Sequence, residues 1–473
     1  MKKVVIIGGG IAGLAAAYTL AEKQKQGQAE IDYLLIEREE RLGGKVLTEQ
    51  VDGFVIEGGP DCFLSQKPWA AQLASKVGIR DDLLGTNEEN QGTYVLSGGR
   101  LHKLPEGLML MVPTKIIPFA MSSLISWPGK IRMAFDLFLP KKKGDGDESL
   151  ADFVTRRLGR EALEKIAEPL IGGIHAGDAH TMSLKASFPR FLEMERNYGS
   201  LIRAMLAARK KAPPRKPDAK DGPRYTYFMS FRRGMGELPG TVAACLDSAK
   251  VLLGRRVTAV KRAGKGFLVE GEGMEPLKAD ALIVATMANH AAEILHLVDP
   301  VLREKLQEIP HVSSATVSLA FRTCDINRPL EGFGFVIPRI EGRKIMAVTY
   351  SSRKWKYRVP DDSVILMRIF VGGAANQDLV ALDDAEMLKM VRAELEDILG
   401  IRAEPIMARI YRWFQGMPQY TLGHLERLEI IEKRLQEIPG LYLAGGSYWG
   451  VGVPDCIRSG TEAAEKAIAH LLK

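Results

Sequence analysis

The sequence predicts an α/β protein with three parts: a nucleotide-binding domain that is discontinuous in the chain, a substrate domain with a mixed sheet, and an inserted helical domain. A glycine-rich turn joins a short apolar strand to an Ala-rich helix near residue 10, and a second strand, glycine turn and helix close the chain. In addition, 473 residues are too many for one hydrophobic core. These three observations define the predicted fold class.

The N-terminal segment predicts a complete βαβ unit of the Rossmann-like type. Residues 4–7 are an unbroken apolar run typical of a buried parallel strand, residues 12–22 predict a helix, and residues 31–36 predict the next strand. The intervening turn has the pattern G-x-G-x-x-G, formed by Gly8, Gly10 and Gly13. Such glycines allow a sharp turn, a close approach of a pyrophosphate and tight helix packing, and the helix N-terminus attracts phosphate.

The residues after the second predicted strand indicate which dinucleotide binds. Glu37 ends this strand, where a carboxylate accepts hydrogen bonds from a ribose and repels a 2′-phosphate, so NADP is disfavoured. Arg41-Leu42-Gly43-Gly44-Lys45 follows. This R-x-G-G-[KR] loop is common in FAD oxidases of the amine oxidase superfamily, and NAD dehydrogenases do not need it. The sequence therefore favours FAD.

The C-terminal glycine turn, Gly445-Gly446 and Gly450-Val451-Gly452, supports the same prediction. It precedes the final helix, whose N-terminus would stabilise the negative charge of a reduced flavin. A second G-x-G-x-x-G is absent from the sequence, and the four cysteines form no CxxC pair. Reduced flavin is therefore expected to pass its electrons to oxygen or to a membrane quinone, which favours an oxidase over a reductase.

The rest of the chain predicts the other domains. Helical periodicity runs from about 93 to 209, strands return between 227 and 286, and half-buried strands at 312–321 and 364–371 accompany a helix at 383–399. We predict an FAD-binding domain at 1–66, 227–292 and 408–473, a substrate-binding domain at 67–92, 210–226 and 293–407, and a helical domain at 93–209.

Charge and hydropathy exclude several classes of function. The net charge of +7 is concentrated in runs at 141–143 and 209–224, which read as solvated surface, and no zinc-finger or RNP-type motif accompanies them. No metal-ligand spacing and no signal peptide are recognised. The apolar stretch 104–127 is interrupted by a lysine and by prolines, so it does not predict a simple membrane span. We expect a cytoplasmic protein that binds neither nucleic acid nor metal.

Three segments give a specific resemblance to a known family. They are Gly-Gly-Pro-Asp-Cys-Phe-Leu at 58–64, the stretch 167–178, and the last glycine turn with Asp455-Cys456-Ile457. These segments are similar to motifs of protoporphyrinogen oxidases, above all those of the Gram-positive bacterial type, and the resemblance covers nearly the whole chain. Members of that branch are coproporphyrinogen III oxidases of haem biosynthesis. The resemblance implies removal of six electrons in three flavin cycles, each forming hydrogen peroxide from oxygen.

The motifs and the resemblance together imply the site. The predicted cofactor-binding residues are Gly8, Gly10, Ile11, Ala12, Gly13, Glu37, Arg38, Gly43, Gly44, Lys45, Gly58, Gly59, Pro60, Asp61, Val257, Ala285, Trp413, Gly446, Val451, Gly452 and Val453. The predicted substrate-binding residues are Lys67, Phe333, Gly334 and Met367. A flat macrocycle needs apolar walls, to which Phe335 and Phe370 would also contribute, and cations for its propionates. No catalytic residue is predicted, and His175 departs from the tyrosine or phenylalanine expected in its motif.

Other functions remain open at this point. Protoporphyrinogen IX, with two propionates instead of four, is the alternative substrate. An amine or carotenoid-precursor oxidase is disfavoured because residues 444–448 read Ala-Gly-Gly-Ser-Tyr instead of A-G-E-x-[TS]. A non-catalytic binding module is disfavoured by the intact glycine motifs. The helical domain is expected to make at most peripheral membrane contact, and a ferrochelatase is expected as a transient partner.

Overall fold

The computed structural model describes residues 1–27, 30–89, 91–105, 108–109, 112–113, 116–211 and 226–472. The chain forms two compact units. The first contains Met1–Thr86, Asp221–His311 and Leu425–Lys473, and the second contains Asn87–Lys220 and Val312–His424. The predicted three-domain partition stays a prediction. Most of its segment at 210–226, and of the basic run at 209–224, lies outside the described residues.

A five-stranded parallel sheet forms the centre of the first unit. Its strand order is Val251–Leu252, Ile31–Ile36, Lys2–Ile7, Ala281–Val284 and Leu441–Leu443. Val4, Val5 and Ile6 are completely buried, as their unbroken apolar run predicted, because helices cover one face of the sheet and antiparallel strands at 257–279 together with further helices cover the other. The predicted βαβ unit, the strand at 281–285 and the last strand are thereby confirmed.

Small side chains let the first and last helices pack closely beside this sheet. The helix Ile11–Lys25 and the helix Val453–Leu471 share one buried cluster that contains Ala16, Ala464 and Ala467. The remaining helices of the unit are Trp69–Lys76, Arg80–Asp82, Glu237–Ala244, Ser248–Lys250, Ala288–Ile294, Pro300–Gln307 and His424–Gln436, the last beginning one residue before the unit boundary. The antiparallel sheets use the strands Thr48–Val51, Phe54–Glu57, Phe63–Leu64, Leu83–Gly85, Phe228–Phe231, Val257–Ala263, Gly266–Gly271 and Met274–Ala279.

A seven-stranded mixed sheet organises the second unit. Its order is Met407–Pro418, His311–Arg322, Val364–Gly372, Ile345–Tyr350, Gly334–Val336, Tyr94–Ser97 and Arg100–Lys103. The predicted strands at 312–321 and 364–371 are confirmed as an antiparallel pair, and the predicted helix at 383–399 forms as Asp384–Leu399. Met387 and Leu395 of this helix lie in the same buried cluster as Val317 and Ile369 of the sheet.

The prediction of helical structure from residue 93 is wrong at its start. Tyr94–Ser97 and Arg100–Lys103 form a hairpin whose two-residue turn is Gly98-Gly99, with φ of 59° and 72°. Adjacent glycines with positive φ suit such a turn because it matches the twist of the strands. The strand Tyr94–Ser97 also pairs in parallel with Gly334–Val336. Helices follow only later in this segment.

The helical part of the second unit surrounds its own apolar cluster, which includes Phe153, Ile166 and Phe191. Its helices are Ile116–Met121, Trp127–Ala134, Phe135–Leu137, Leu150–Leu158, Arg160–Ala162, Leu163–Ala167, Glu168–His175, Leu184–Ser187, Pro189–Tyr198 and Leu201–Lys211. The unit also contains the short strands Leu108–Met109 and Val112–Pro113 and the short helices Thr323–Asp325, Arg339–Glu341, Ser351–Lys354 and Gln377–Ala381. Within the described residues, no helix is long and apolar enough to cross a membrane.

A buried ion pair ties these helices together. Arg157 is fully buried, and its guanidinium donates to a carboxylate oxygen of Asp136 at 2.6 Å and to the carbonyl of Gly199 at 2.8 Å. Asp136, also fully buried, accepts from the Ser200 hydroxyl at 2.6 Å and from the backbone N–H of Ile202 at 3.0 Å. Because each charged group has several partners, the network satisfies a pair that burial would otherwise make unfavourable.

Candidate functional site

The glycine turn after the first strand borders an open space that no atom of the described residues fills at Gly10. A Cβ added at Gly13 would lie 1.9 Å from the carbonyl oxygen of Gly8, so Gly13 allows the helix to touch the turn. A Cβ at Gly10 would have no atom of the described residues within 4 Å, and Gly10 has φ of −66° and ψ of 176°, which any residue adopts. Neither packing nor backbone conformation therefore requires glycine at position 10. The open space fits the close approach of a pyrophosphate.

Glu37, the predicted ribose acceptor, lies beside this turn. Its carboxylate is buried and accepts from the backbone N–H of Gly9 at 2.5 Å and from that of Glu39 at 3.0 Å. An ionised carboxylate has further lone pairs, so both oxygens can still accept from hydroxyl groups. The carbonyl of Glu37 accepts from Arg255, which brings the start of the strand with Val257 next to it.

The loop that contains Gly43, Gly44 and Lys45 closes over the glycine turn. The N–H of Gly43 donates to the carbonyl of Gly9 at 2.9 Å, and Gly43 forms a bridge with Gly10. Gly59 contacts the same loop so closely that a Cβ there would lie 1.6 Å from the carbonyl oxygen of Lys45. The Lys45 ammonium lies 3.1 Å from the sulfur of Met287. Residues from distant parts of the sequence thus come together at the carboxyl edge of the parallel sheet, where its strands end.

The C-terminal glycine turn lies at the same edge. The N–H of Ala444 donates to the carbonyl of Val284, and the N–H of Gly445 donates to the Ser459 hydroxyl at 2.9 Å. Gly452 is the N-cap of the final helix and has no side chain to satisfy the first N–H groups. These N–H groups and the helix dipole favour negative charge beside the turn.

Basic groups surround this edge. Burial lowers the pKa of the Lys45 ammonium, and burial together with the positive charge of Lys45 lowers the pKa of His311 to about 4. Burial, with the charge of Arg38, also lowers the pKa of His290. His311 is therefore neutral at physiological pH, and its ring lies 3.4 Å from the Ser447 hydroxyl, which accepts from the N–H of Ala288. The positive charges of Lys45 and Arg38, which lower the pKa values of these histidines, also favour an anionic ligand.

Cys456 follows the same turn, and its thiol is buried. Its thiol lies 4.0 Å from the carbonyl oxygen of Val451. Burial raises the pKa of this thiol to about 11, so it stays protonated at neutral pH, and only the thiolate reacts readily.

Lys67 lies in the first unit and forms an ion pair. Its ammonium donates to Asp455 at 2.5 Å, and the Asp455 side chain is 5% exposed. Asp455 belongs to the first turn of the final helix, next to the predicted residues Val451, Gly452 and Val453. The assignment of Lys67 to substrate binding stays a prediction, and the structure adds a partner that the sequence did not indicate.

The other predicted substrate residues lie in the second unit. Phe333 is half-buried, whereas Met367 is completely buried in the core with Leu319 and Ile369. A Cβ at Gly334 would lie 2.0 Å from the carbonyl oxygen of Val348, so strand pairing alone requires this glycine. Their assignment to the substrate stays a prediction, which the burial of Met367 does not favour.

The structure places the remaining predicted cofactor residues as follows. Ile11 and Ala12 are buried at the start of the first helix, and the N–H of Ala285 donates to the carbonyl of Ile7. The N–H of Gly58 donates to the carbonyl of Leu47. Pro60, Asp61 and Gly446 are half-buried in the first unit, Arg38 is exposed there beside Glu39, and Trp413 lies on a strand of the second unit.

Sequence reasoning assigned no role to four residues of this site. They are Met287, His311, Ser447 and Asp455. Asp455 alone had a sequence signal, because an acidic residue in the first turn of a helix complements the helix dipole. The other three make contacts with residues that are distant in the chain, and only the fold reveals these contacts.

The open space at Gly10, the acceptor at Glu37 and the capless helix at the second glycine turn fit the pyrophosphate, ribose and flavin of FAD. The fold and the site together define a flavoprotein of the dinucleotide-binding α/β class. In the part of the chain that the structure describes, no cluster of His, Cys, Asp and Glu suited to a metal ion occurs.

Comparisons with known proteins identify the family. Residues 11–468 match the family described as flavin containing amine oxidoreductase. Coproporphyrinogen III oxidases from Bacillus subtilis and Staphylococcus aureus are 36% and 33% identical to this chain, each covering 99% of it, with 98% and 100% of their own lengths matched. The solved structure of a candidate protoporphyrinogen oxidase from Exiguobacterium is 32% identical with a TM-score of 0.86, covering 100% of this chain and 99% of its own.

The chain therefore belongs to the flavin containing amine oxidoreductase family, on the branch of the porphyrinogen oxidases. Its cofactor is FAD, and it is an oxidoreductase. The α/β class and the FAD cofactor that the sequence predicted are confirmed.

Proposed function

We propose that this chain oxidises coproporphyrinogen III to coproporphyrin III with molecular oxygen, as a step of haem biosynthesis. The reaction removes six electrons and six protons from the macrocycle and converts three O2 to three H2O2. The full-length similarity to coproporphyrinogen III oxidases carries this proposal. Bound FAD would supply the hydride acceptor and return the electrons to oxygen.

The chain's own residues would position the cofactor. In the proposed site, the N–H groups at Gly10 to Gly13 hold the pyrophosphate, Glu37 accepts from the ribose, and the final helix stabilises negative charge on the reduced ring. Val257 contributes to the adenine site and Trp413 to the flavin site. The other predicted cofactor residues complete the cradle, and no catalytic side chain is assigned.

The substrate side of the proposal uses the mixed sheet of the second unit. Phe333 and Phe370 are half-buried and would form apolar walls, whereas Phe335 and Met367 are core residues. The Arg368 guanidinium lies 4.7 Å from the centre of the Phe370 ring, on the same side of the strand. Because a guanidinium matches a carboxylate in geometry, we propose that Arg368 also contacts a propionate of the substrate.

A fluorimetric assay with two substrates tests this function. Purified enzyme is given coproporphyrinogen III or protoporphyrinogen IX at limiting concentration under air, and porphyrin fluorescence is followed. We expect a higher kcat/KM for coproporphyrinogen III. Equal or higher kcat/KM for protoporphyrinogen IX would assign the alternative substrate, and a colourless protein that FAD does not reconstitute would contradict an enzymatic function.

Peripheral membrane contact is proposed for the helical part of the second unit. Apolar side chains that are 53–82% accessible lie on the helices Ile116–Met121 and Trp127–Ala134 and on the short helix Phe135–Leu137 with the residue after it. They are Ile117, Met121, Trp127, Ile131, Phe135 and Phe138. The Lys130 ammonium lies 4.6 Å from the Trp127 ring. Apolar side chains with neighbouring cations suit the interface of an anionic bilayer. A cytoplasmic location and transient contact with a ferrochelatase belong to the same proposal.

Vesicle binding is expected to depend on this apolar surface. A Phe135→Ser/Phe138→Ser variant should bind vesicles containing phosphatidylglycerol at least roughly tenfold more weakly than the native protein, because each phenylalanine contributes apolar area. Cosedimentation measures the binding. The control is Ile340→Ser, which removes a 63% exposed apolar side chain on another element and should bind as the native protein does. Equal binding by all three proteins would contradict the membrane contact.

A further inference from the structure

We propose that Asp455 is a positioning residue that holds the Lys67 ammonium beside the C-terminal glycine turn, where this cation acts on the bound flavin instead of a substrate carboxylate. The inference rests on flavin binding and goes beyond the proposed function, because it does not depend on which porphyrinogen is oxidised. It also gives Lys67 a role different from the one that the sequence suggested.

The contact between the two side chains is short, and only the Asp455 side chain is buried. The Lys67 ammonium lies 2.5 Å from Oδ2 of Asp455, and the two side chains are 41% and 5% exposed. A carboxylate buried to this degree is costly unless a cation or several donors accompany it. The exposed lysine therefore supplies the charge that Asp455 requires, and Asp455 determines where the ammonium is held.

The glycine turn is shaped around the Asp455 carboxylate. Gly450 has φ of 121°, and a Cβ added there would lie 2.6 Å from Cγ of Asp455. A Cβ added at Gly452 would lie 3.0 Å from Oδ2 of the same residue. The carboxylate thus lies against the turn that precedes the final helix, and the ammonium of Lys67 is held at the same place.

The neighbouring thiol connects this pair to the cofactor site. Burial is the main cause of the raised pKa of Cys456, but the charges of Lys45 and Lys67 oppose it and the charge of Asp455 adds to it. The charges of Lys45, Asp455 and Lys67 therefore all act on this one thiol at the start of the final helix. Lys45 belongs to the loop that closes over the first glycine turn, so Lys67 lies near residues that are proposed to hold FAD.

A cation held at this place would change the properties of the flavin. The N-terminus of the final helix already carries a partial positive charge. The Lys67 ammonium adds positive charge beside it, and the Asp455 carboxylate offsets part of that charge. Reduction places negative charge on the flavin ring, so a nearby cation favours the reduced form. A unit charge acting through a partly solvated site changes such an equilibrium by roughly tenfold or more.

The test measures the midpoint potential of the flavin in purified holoenzyme without any porphyrinogen. Lys67→Met should lower the potential, which corresponds to a roughly tenfold lower ratio of reduced to oxidised flavin at a fixed potential. Lys67→Arg keeps the charge and should keep the potential near its native value. A lysine that only contacts a propionate would instead raise KM on substitution and leave the potential unchanged, and this result would overturn the proposal.

The positioning role of Asp455 is tested by a double-variant cycle. In an Asp455→Asn background the ammonium is no longer held, so Lys67→Met should cause less than half of the shift seen in the native background. Equal shifts in the two backgrounds would overturn the positioning role. If Lys67→Met alone fails to retain FAD because it leaves a buried carboxylate, the double variant removes both charges and its potential is compared with that of Asp455→Asn. Because no substrate is present, these outcomes are independent of the proposed activity.

Discussion

Gly10→Ala is expected to yield a folded protein that purifies with little or no FAD. A methyl group at this position meets no described atom within 4 Å, and the backbone conformation suits alanine, so the fold has no reason to change. The same methyl would occupy the space that the pyrophosphate approaches. We expect FAD affinity to fall by roughly a hundredfold, about 2.7 kcal/mol, while the free energy of unfolding of the apoprotein stays within about 0.5 kcal/mol of the native value.

Gly13→Ala is the matched comparison for this prediction. Its methyl would lie 1.9 Å from the Gly8 carbonyl oxygen, so the helix has to move away from the strand. We expect the apoprotein to lose about 2–4 kcal/mol of stability, in addition to its FAD. Fluorescence titration with FAD and urea unfolding of the apoproteins separate the two effects. If Gly10→Ala destabilised the apoprotein as much as Gly13→Ala, the space at Gly10 would be a packing feature and not a ligand site.

Arg157→Met is expected to destabilise the second unit by about 3–5 kcal/mol. The substitution leaves the fully buried Asp136 carboxylate without its cation, and an uncompensated buried charge has a cost of this size. The main-chain carbonyls of Leu139, Pro140 and Gly199 would also lose their donor. Urea unfolding followed by circular dichroism measures the change in the free energy of unfolding.

The control for this prediction is Arg160→Met, three residues further along the chain. The Arg160 side chain is 81% exposed and pairs with Glu164 on the helix surface, so its replacement should change the stability by less than about 0.5 kcal/mol. A similar loss in both variants would mean that the buried network contributes no more than a surface pair. Both residues carry the same charge, so the predicted order of the two losses depends on burial and on the carbonyls to which Arg157 donates.

Much of the fold, and the residues of the candidate cofactor site, could be predicted from the sequence because the relevant signals are local. The run at residues 4–7, the glycines at 8, 10 and 13 and the glutamate at 37 are close in the chain, and each has a direct structural meaning. The hairpin at 94–103 also had a local signal, since Gly98-Gly99 lies between strand-like residues. The helical periodicity of the surrounding segment nevertheless predicted a helix in place of this hairpin.

The pairings between distant residues could not be obtained in this way. Lys67 and Asp455 are separated by 388 positions, and the sequence shows two charges but not that they meet. The same holds for Asp136 and Arg157, whose burial depends on the packing of helices around them. The sequence predicts that Met367 contacts the substrate, whereas strand alternation places its side chain on the core face of the sheet. A one-residue difference in register decides which face a side chain occupies.

The discontinuous first unit has a consequence for how the protein is made. Its central sheet requires Leu441–Leu443 at one edge, and its cofactor cradle requires the glycine turn and the helix that follow this strand. Chains are synthesised from the N-terminus, and domains fold as units once their segments have emerged. The first glycine turn of the nascent chain therefore has no complete flavin site until residues 441–471 have been synthesised, and FAD capture has to wait for them.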